Sequence, residues 1–477
     1  MTTLFVNRHS FHDVKLPERR MLFHIPSSGL FELDEVGGSL LDFLKENDRV
    51  SLDGMRERFD GRVTASDLAQ TFESFRELSI LCDAPAGPDL GLRTEIRSFP
   101  ISTVVLNVNT GCNLSCTYCY KEDLDVPAKG RRMNFDTACK SIELLLAEGA
   151  VHDRINVIFF GGEPLTNLTL IKQVVDYTEQ RCAEEGKHVD FSMTTNATLL
   201  TEEIVDYLDH HRFGLSISMD GPEAVHNRRR LTVGGKGTYS VVASKARMLL
   251  ERYRSKPVGV RVTMTAGYTD VLAIHKHLKG ELGFFEVGFA PATSGPLTAF
   301  NLDAGELQAV FDGMRALGRD YRDAALRGEN NGFSNMHQLM SDLYEGRKKA
   351  LPCGAGVGLL AVDHKGDLNL CHRFTGSDMP RFGNVDEGIA KEALGAFLEK
   401  ATDRADKGCS TCRIRNLCAG GCYHESYAHF GDPLSPTYHY CDLMRDWVDF
   451  GIEIYTEILV KNPGFFRQHL STRSIQL

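Results

Sequence analysis

Three cysteines within eight residues, Cys112, Cys116 and Cys119, constrain this chain more than any other feature. They lie in GCNLSCTYCY, Gly111–Tyr120, directly behind the apolar run Val104–Val108, which reads as a buried strand. The loop therefore sits at the carboxyl end of that strand. Its Cys-x3-Cys-x2-Cys spacing, with the aromatic Tyr118 inside it, sets three thiolates on one loop. Cysteine thiolates are the usual ligands of a four-iron cubane, and three of them leave one iron without a protein ligand from this loop. A zinc site completed by a distant residue is the alternative.

The remaining cysteines reinforce a ligand reading. There are 13 in all, an odd number. A disulfide scaffold is short and pairs its cysteines. Five fall in residues 409–441, with Cys353 and Cys371 before them. Cys82, Cys139 and Cys182 are scattered and read as small buried apolar residues. The N-terminus, MTTLFVNRHSFHDVK, has no apolar signal region, and no apolar run reaches the length of a membrane span. A cytoplasmic protein without a membrane partner is expected. A net charge of −10 argues against a nucleic-acid partner, and the only dense basic run is Arg228-Arg229-Arg230.

At 477 residues the chain predicts several domains. Residues 1–90 read as a small module. Extended runs at Thr3–Asn7, Met21–Ile25 and Leu30–Leu33 precede helical patterns starting at Asp34, at Leu52 and near Ser66, a winged-helix-like order. The Pro/Gly-rich stretch Ala84–Gly91 reads as its linker. Residues 100–330 alternate strands and helices. Strand runs lie at Val104–Val108, Ile155–Phe160, Phe191–Thr195, Leu215–Met219, Val258–Met264 and Val287–Ala290, with helical patterns at 136–148, 168–185, 201–210, 239–253, 269–279 and 304–326. Six such repeats predict an α/β fold, a partial (β/α)6 TIM-like barrel with its chemistry at the strands' carboxyl ends. The segment that follows offers no two further units to close it. Residues 350–445 are rich in Gly and Cys and short of core, which predicts inorganic staples. Residues 446–477 hold the rest of a final helix, Asp442–Val460, and a tail.

Other strand ends carry polar motifs. FFGGEP, Phe159–Pro164, offers Gly161 and Gly162 for close backbone approach and Glu163 as an acceptor for an ammonium. TTNAT presents Asn196, and SISMDGP presents Ser216, Ser218 and Asp220, which also read as turn or cap residues. With the cysteine loop, these motifs resemble the radical S-adenosylmethionine (radical SAM) enzymes. The resemblance implies a [4Fe–4S] cluster on Cys112, Cys116 and Cys119, with S-adenosylmethionine chelating the vacant iron. It further implies cofactor contacts from Tyr118, Gly161, Gly162, Glu163, Asn196, Ser216 and Ser218. Arg230 would clamp the cofactor carboxylate, with Arg228 as the competing assignment.

Cys353, Gly366-x4-Cys371, Cys409-x2-Cys412-x5-Cys418-x3-Cys422 and Cys441 are similar to the SPASM extension of these enzymes. Zinc ribbons are the alternative reading. The resemblance implies two auxiliary [4Fe–4S] clusters, three in all. Cys353, Cys371 and Cys422 would hold the first; Cys409, Cys412, Cys418 and Cys441 the second. No eighth cysteine lies between Cys353 and Cys371, so a substrate thiolate, His364 or His372 is left as the fourth ligand of the first. Sulfatase-maturing relatives place an aspartate base directly after the cysteine equivalent to Cys371. This chain has His372 there, which is the candidate base.

The stretch LFHIPSSGLFELDEVGGSLLDFL, Leu22–Leu44, resembles the small peptide chaperone of pyrroloquinoline quinone synthesis, implying a leader peptide bound by strand addition. The whole arrangement is similar to the family of maturases that build Cys-to-Asp/Glu thioether crosslinks in the small subunit of quinohemoprotein amine dehydrogenase. That similarity implies a small Cys/Asp-rich polypeptide substrate and an external one-electron donor of ferredoxin or flavodoxin type. Alternatives are epimerisation, carbon–carbon crosslinking or dehydrogenation of a peptide, and a non-catalytic iron–sulfur electron carrier.

Overall fold

The computed structural model describes residues 3–16, 19–87, 99–119, 130–293, 298–403, 408–435 and 440–470. Six parallel strands form its centre: β1 (Thr103–Asn109), β2 (Arg154–Gly161), β3 (His188–Thr195), β4 (Gly214–Ser218), β5 (Val258–Met264) and β6 (Glu286–Pro291). They lie side by side in chain order, as the six apolar runs predict. Helices between them cover the outer face. Each of several begins where a short polar side chain caps it: Asn134 accepts from the Thr137 amide, Thr201 from Ile204, and Asp303 forms a capping box with Glu306. Beneath them Phe159, Phe191 and Phe213 stack with centroids 5.4–6.1 Å apart. The pattern at 269–279 is not one α-helix: Val271–His275 widens into a π-helical turn, Lys276–Glu281.

The sheet does not stop at six strands. β7 (Leu359–Val362) pairs parallel to β1, and β8 (Leu368–Asn369) pairs antiparallel to β7. The segment expected to add nothing to the barrel thus caps its first edge, where β1 would otherwise leave backbone groups unpaired. A helix unmarked in the sequence, Ser334–Tyr344, buries Met336, Leu339, Met340 and Leu343. It packs with Ala304–Leu326 and the final helix, Cys441–Lys461, at glycines. A Cβ on Gly451 would stand 2.2 Å from Leu339, and one on Gly318 2.6 Å from Phe450.

The N-terminal residues form two small sheets and three helices, Glu35–Glu46, Leu52–Arg58 and Ala65–Glu77. One sheet pairs Thr3–Val6 with Arg49–Ser51 and Leu81–Cys82. The other orders Phe11–Lys15, Arg20–His24 and Gly29–Leu33. Phe11–Lys15 escaped the sequence reading because FHDVK mixes apolar and charged residues. Its polar side chains find partners elsewhere in the chain, Asp13 in Arg20 at 2.8 Å and His12 in Asp449 at 3.2 Å. The first two strands of this sheet send apolar residues into two different cores. Phe11 and Leu22 enter the module's own core, whereas Val14, Met21, Phe23 and Ile25 join the core of the body. The unit is therefore docked. Arg415 donates to the His9 carbonyl, and Asn416 Nδ2 donates to the Ile25 carbonyl at 2.7 Å. Residues 84–87 of the expected linker carry no regular structure, and 88–91 lie outside the described residues, as do 471–477 of the tail.

Of the scattered cysteines only Cys182 is buried; Cys82 and Cys139 are partly exposed. Cys139 sits beside, not on, the stripe of Ala138, Ile142 and Leu145. Among the described residues no helix is long and apolar enough to cross a membrane.

Candidate active site

The cysteine loop leaves the end of β1 and is held from three sides. Asn109 accepts from the Gly111 amide and donates to the Gly111 carbonyl and to Thr166 Oγ1 at 2.6 Å. Across the loop, the Ser115 amide donates to the Leu231 carbonyl at 2.8 Å and the Thr117 amide to the Arg229 carbonyl at 3.0 Å. From β3, Asn196 Nδ2 reaches Asn113 Oδ1 at 3.0 Å, and Asn113 Nδ2 reaches Thr198 Oγ1 at 2.8 Å. Asn109 and Asn113 were not marked in the sequence. Their bonds run to residues up to 85 positions away, and no local spacing announces them.

Gly161 and Gly162 lie close against the backbone of the cysteine loop. A Cβ on Gly161 would meet the Asn109 carbonyl oxygen at 2.3 Å, and one on Gly162 the Gly111 carbonyl oxygen at 2.0 Å. The glycines let the end of β2 run against the start of the cysteine loop. The Gly162 amide bonds Asn109, and the Glu163 amide bonds the Gly111 carbonyl at 3.1 Å. Glu163 then turns inward, 1% exposed. Its Oε1 accepts from Thr195 Oγ1 at 2.7 Å and from the Leu165 amide at 3.1 Å, and its Oε2 accepts from the Asn196 amide at 2.8 Å. Burial pushes this carboxyl up to about 6, against the pull of those donors. Oε2 accepts one bond, so it retains lone-pair capacity for a second donor.

Ser216 and Ser218 share one face of β4, two residues apart. Beyond them Asp220 is buried and accepts four bonds. Arg230 gives two, at 2.9 and 3.2 Å, Tyr118 Oη gives one at 2.8 Å, and the Thr263 amide gives one at 3.0 Å. Arg230 is thus not a free cation awaiting a carboxylate, because two of its N–H groups are committed. Its guanidinium also lies 5.4 Å from the Tyr118 ring centre. Arg228, the competing assignment, is exposed and donates to the Ala266 carbonyl, away from the loop.

The ten motif cysteines sort by proximity into three groups. The Cys112 thiol is perturbed by Cys116 and Cys119; Cys371 by Cys353 and Cys422; Cys418 by Cys409, Cys412 and Cys441. Burial pushes Cys112 up to about 12, and Cys116, Cys371 and Cys418 up to about 11, so as thiolates they demand a bound cation. Cys112, Cys353, Cys371 and Cys418 each accept a hydrogen bond from the backbone N–H two residues on. Such donors favour thiolate and orient the sulfur toward a metal. Among the described residues no three or more His, Cys, Asp or Glu side chains converge on a single-ion position. His372 lies at the barrel mouth, its ring centre 4.2 Å from that of Phe160 on β2.

Residues 106–274 match the radical SAM superfamily. The chain carries a radical SAM domain. Such domains use a [4Fe–4S] cluster and S-adenosylmethionine, and the loop's buried thiols with inward N–H donors suit the cluster. An uncharacterized protein of Methanocaldococcus jannaschii is 31% identical over 34% of this chain and 52% of its own length, so the chain spans about half of that relative. A cysteine-type anaerobic sulfatase-maturating enzyme of Clostridium perfringens is 24% identical over 74% of this chain and 96% of its own length. Among solved structures, histidine-tagged anSMEcpe with bound AdoMet superposes with a TM-score of 0.64 at 21% identity, covering 78% of this chain and 99% of that one. The radical SAM barrel and the region behind it thus share that protein's fold.

Proposed function

We propose that the protein is a radical SAM maturase that forms Cys-to-Asp/Glu thioether crosslinks within a small Cys/Asp-rich polypeptide, the small subunit of quinohemoprotein amine dehydrogenase. Three [4Fe–4S] clusters are assigned to the three thiol groups. Around a single tetrahedral zinc, sulfurs lie about 3.8 Å apart; a cubane holds its ligands farther out, in keeping with neighbouring thiols that do not converge on one ion.

The observation that carries the reading is the place of the three-thiol group. Cys371 adjoins His372, whose ring packs tilted against Phe160 at the end of β2, one residue before the Gly161-Gly162-Glu163 turn. A substrate thiolate completing the set of Cys353, Cys371 and Cys422 would sit within reach of the radical site. Bound S-adenosylmethionine supplies a 5′-deoxyadenosyl radical that takes a hydrogen atom. Glu163 would hold the cofactor ammonium, the Arg230 N–H groups not given to Asp220 would meet its carboxylate, and Ser216, Ser218 and Asn196 would contact it from the strand ends. His372 takes the proton of the substrate thiol. Per crosslink one hydrogen atom leaves in 5′-deoxyadenosine and one proton leaves with His372. The external ferredoxin- or flavodoxin-type donor would supply the electron that cleaves S-adenosylmethionine, and the electron released as the carbon–sulfur bond forms would balance it, so that no net reductant is consumed per crosslink.

The leader peptide is assigned to the Gly29–Leu33 strand. The opposite edge, Phe11–Lys15, lies against the final helix, while Gly29–Leu33 presents an unpaired side with Phe31 41% exposed. Sulfatase-type oxidation is less well served, since His372 stands where those relatives carry an aspartate.

The test is an anaerobic reaction of reduced enzyme, S-adenosylmethionine and a leader-bearing Cys/Asp-rich peptide, followed by mass spectrometry. The expected product has lost two hydrogens and one alkylatable thiol per link, with one 5′-deoxyadenosine formed. An unchanged peptide mass, or loss of two hydrogens with every thiol still alkylatable, would overturn the thioether assignment in favour of epimerisation, carbon–carbon crosslinking or dehydrogenation. Absence of 5′-deoxyadenosine would leave an electron carrier.

A further inference from the structure

Cys116 and Arg230 face each other across a short antiparallel ladder. The Leu114–Thr232 bridge, the Ser115 amide to Leu231 carbonyl bond and the Thr117 amide to Arg229 carbonyl bond share one register, which places residue 116 opposite residue 230. The Arg230 guanidinium bonds Asp220 and lies close enough to the Cys116 thiol for its charge to pull that thiol toward thiolate. Both members of the ion pair are buried, Asp220 3% and Arg230 7% exposed. The pair's backbone is pinned too, since the Arg230 carbonyl accepts from Thr238 Oγ1 at 2.8 Å and Asp220 accepts from the Thr263 amide. A fixed, desolvated cation therefore stands opposite one loop cysteine, and a fixed anion is paired with it.

We propose that Asp220 is a positioning residue that tunes the reduction potential of the cluster on the Cys112–Cys119 loop, by offsetting and orienting the Arg230 charge that stands opposite Cys116. This rests on the assignment of that cluster to the loop. The potential of an iron–sulfur cluster follows net charge and hydrogen bonds at its sulfurs. A cation at Cys116 favours the reduced, more negative cluster; Asp220 cancels part of that field and keeps the cluster strongly reducing. Tyr118 and Thr263 hold Asp220 in place without adding charge.

The two charges give a sign test. Full-length reconstituted protein is titrated anaerobically, following the EPR signal that changes shape when S-adenosylmethionine is added. In Asp220→Asn the buried guanidinium loses its counter-charge, and the reduced-to-oxidised ratio at a fixed potential rises at least tenfold, 59 mV for a one-electron couple. In Arg230→Gln the carboxylate is left alone and the ratio falls at least tenfold. Asp220→Glu and Tyr118→Phe keep the charge and stay within threefold of the parent. Should Asp220→Asn lose its iron, the fall in Arg230→Gln carries the test. Shifts under threefold, or of one sign in both variants, overturn the proposal. If the signal survives in Cys116→Ala, the loop assignment itself fails instead.

Discussion

Replacing Gly162 by alanine isolates one contact on which the candidate site depends. Gly162 has no left-handed backbone requirement, so the substitution tests space alone. The new Cβ would stand 2.0 Å from the Gly111 carbonyl oxygen, 2.4 Å from its carbon and 2.9 Å from the Cys112 nitrogen. All three are backbone atoms, so no side chain can swing aside. Relief takes about 1 Å of movement between the end of β2 and the loop that carries Cys112. Overpacking of this kind costs about 1–3 kcal/mol. The Glu163 amide bond to Gly111, 3.1 Å in the parent, breaks with it and adds about 1 kcal/mol. The cost falls on the loop rather than on the barrel, whose core is the helix-covered sheet. Gly162→Ala should therefore keep its circular dichroism spectrum but lose about four irons per chain after reconstitution, together with binding of S-adenosylmethionine. A variant with the parent's full iron content and unaltered cofactor affinity would falsify the close-approach argument for this glycine.

Three further outcomes follow from other contacts. Glu163 titrates near 6 because it is buried, so it is charged above that pH. Calorimetric affinity for S-adenosylmethionine should fall as pH drops from 7 toward 5, about tenfold per unit once below 6; a flat profile counts against its role as ammonium acceptor. Asn416→Ala leaves the Ile25 carbonyl without its 2.7 Å donor. The cost is about 1–3 kcal/mol, and faster hydrogen exchange should be confined to the Phe11–Lys15 and Arg20–His24 strands; unchanged protection there refutes the docking contact. Cys409→Ala should remove about four irons yet retain reductive cleavage of S-adenosylmethionine, whereas Cys112→Ala should abolish cleavage. Loss of cleavage in both would mean the thiol groups do not act separately.

Much of this protein was legible before its fold was seen. The six barrel strands announced themselves because a buried strand is a short continuous apolar run, and most of the helices between them because their apolar residues recur at 3.6. The cysteine spacing was equally plain, since ligands on one loop are close in sequence for the same reason they are close in space. The structure brought the distant members, Cys422 with Cys353 and Cys371, into the groups that the motif implied. Less could be read where chemistry depends on partners far along the chain. Nothing local shows that Arg230 is already paired with Asp220, or that Gly161 and Gly162 serve the cysteine loop. The strand Arg20–His24 is apolar on both faces, so its period of two could not say which face meets which core. The sequence by itself determined the six barrel strands, most of the helices between them and the thiol loops, because those follow from spacing along one chain. Only the tertiary structure decided which buried charge answers which, what covers the first barrel edge and how the N-terminal module docks. Those contacts join segments tens to hundreds of residues apart, and their free energy exists only once the segments meet.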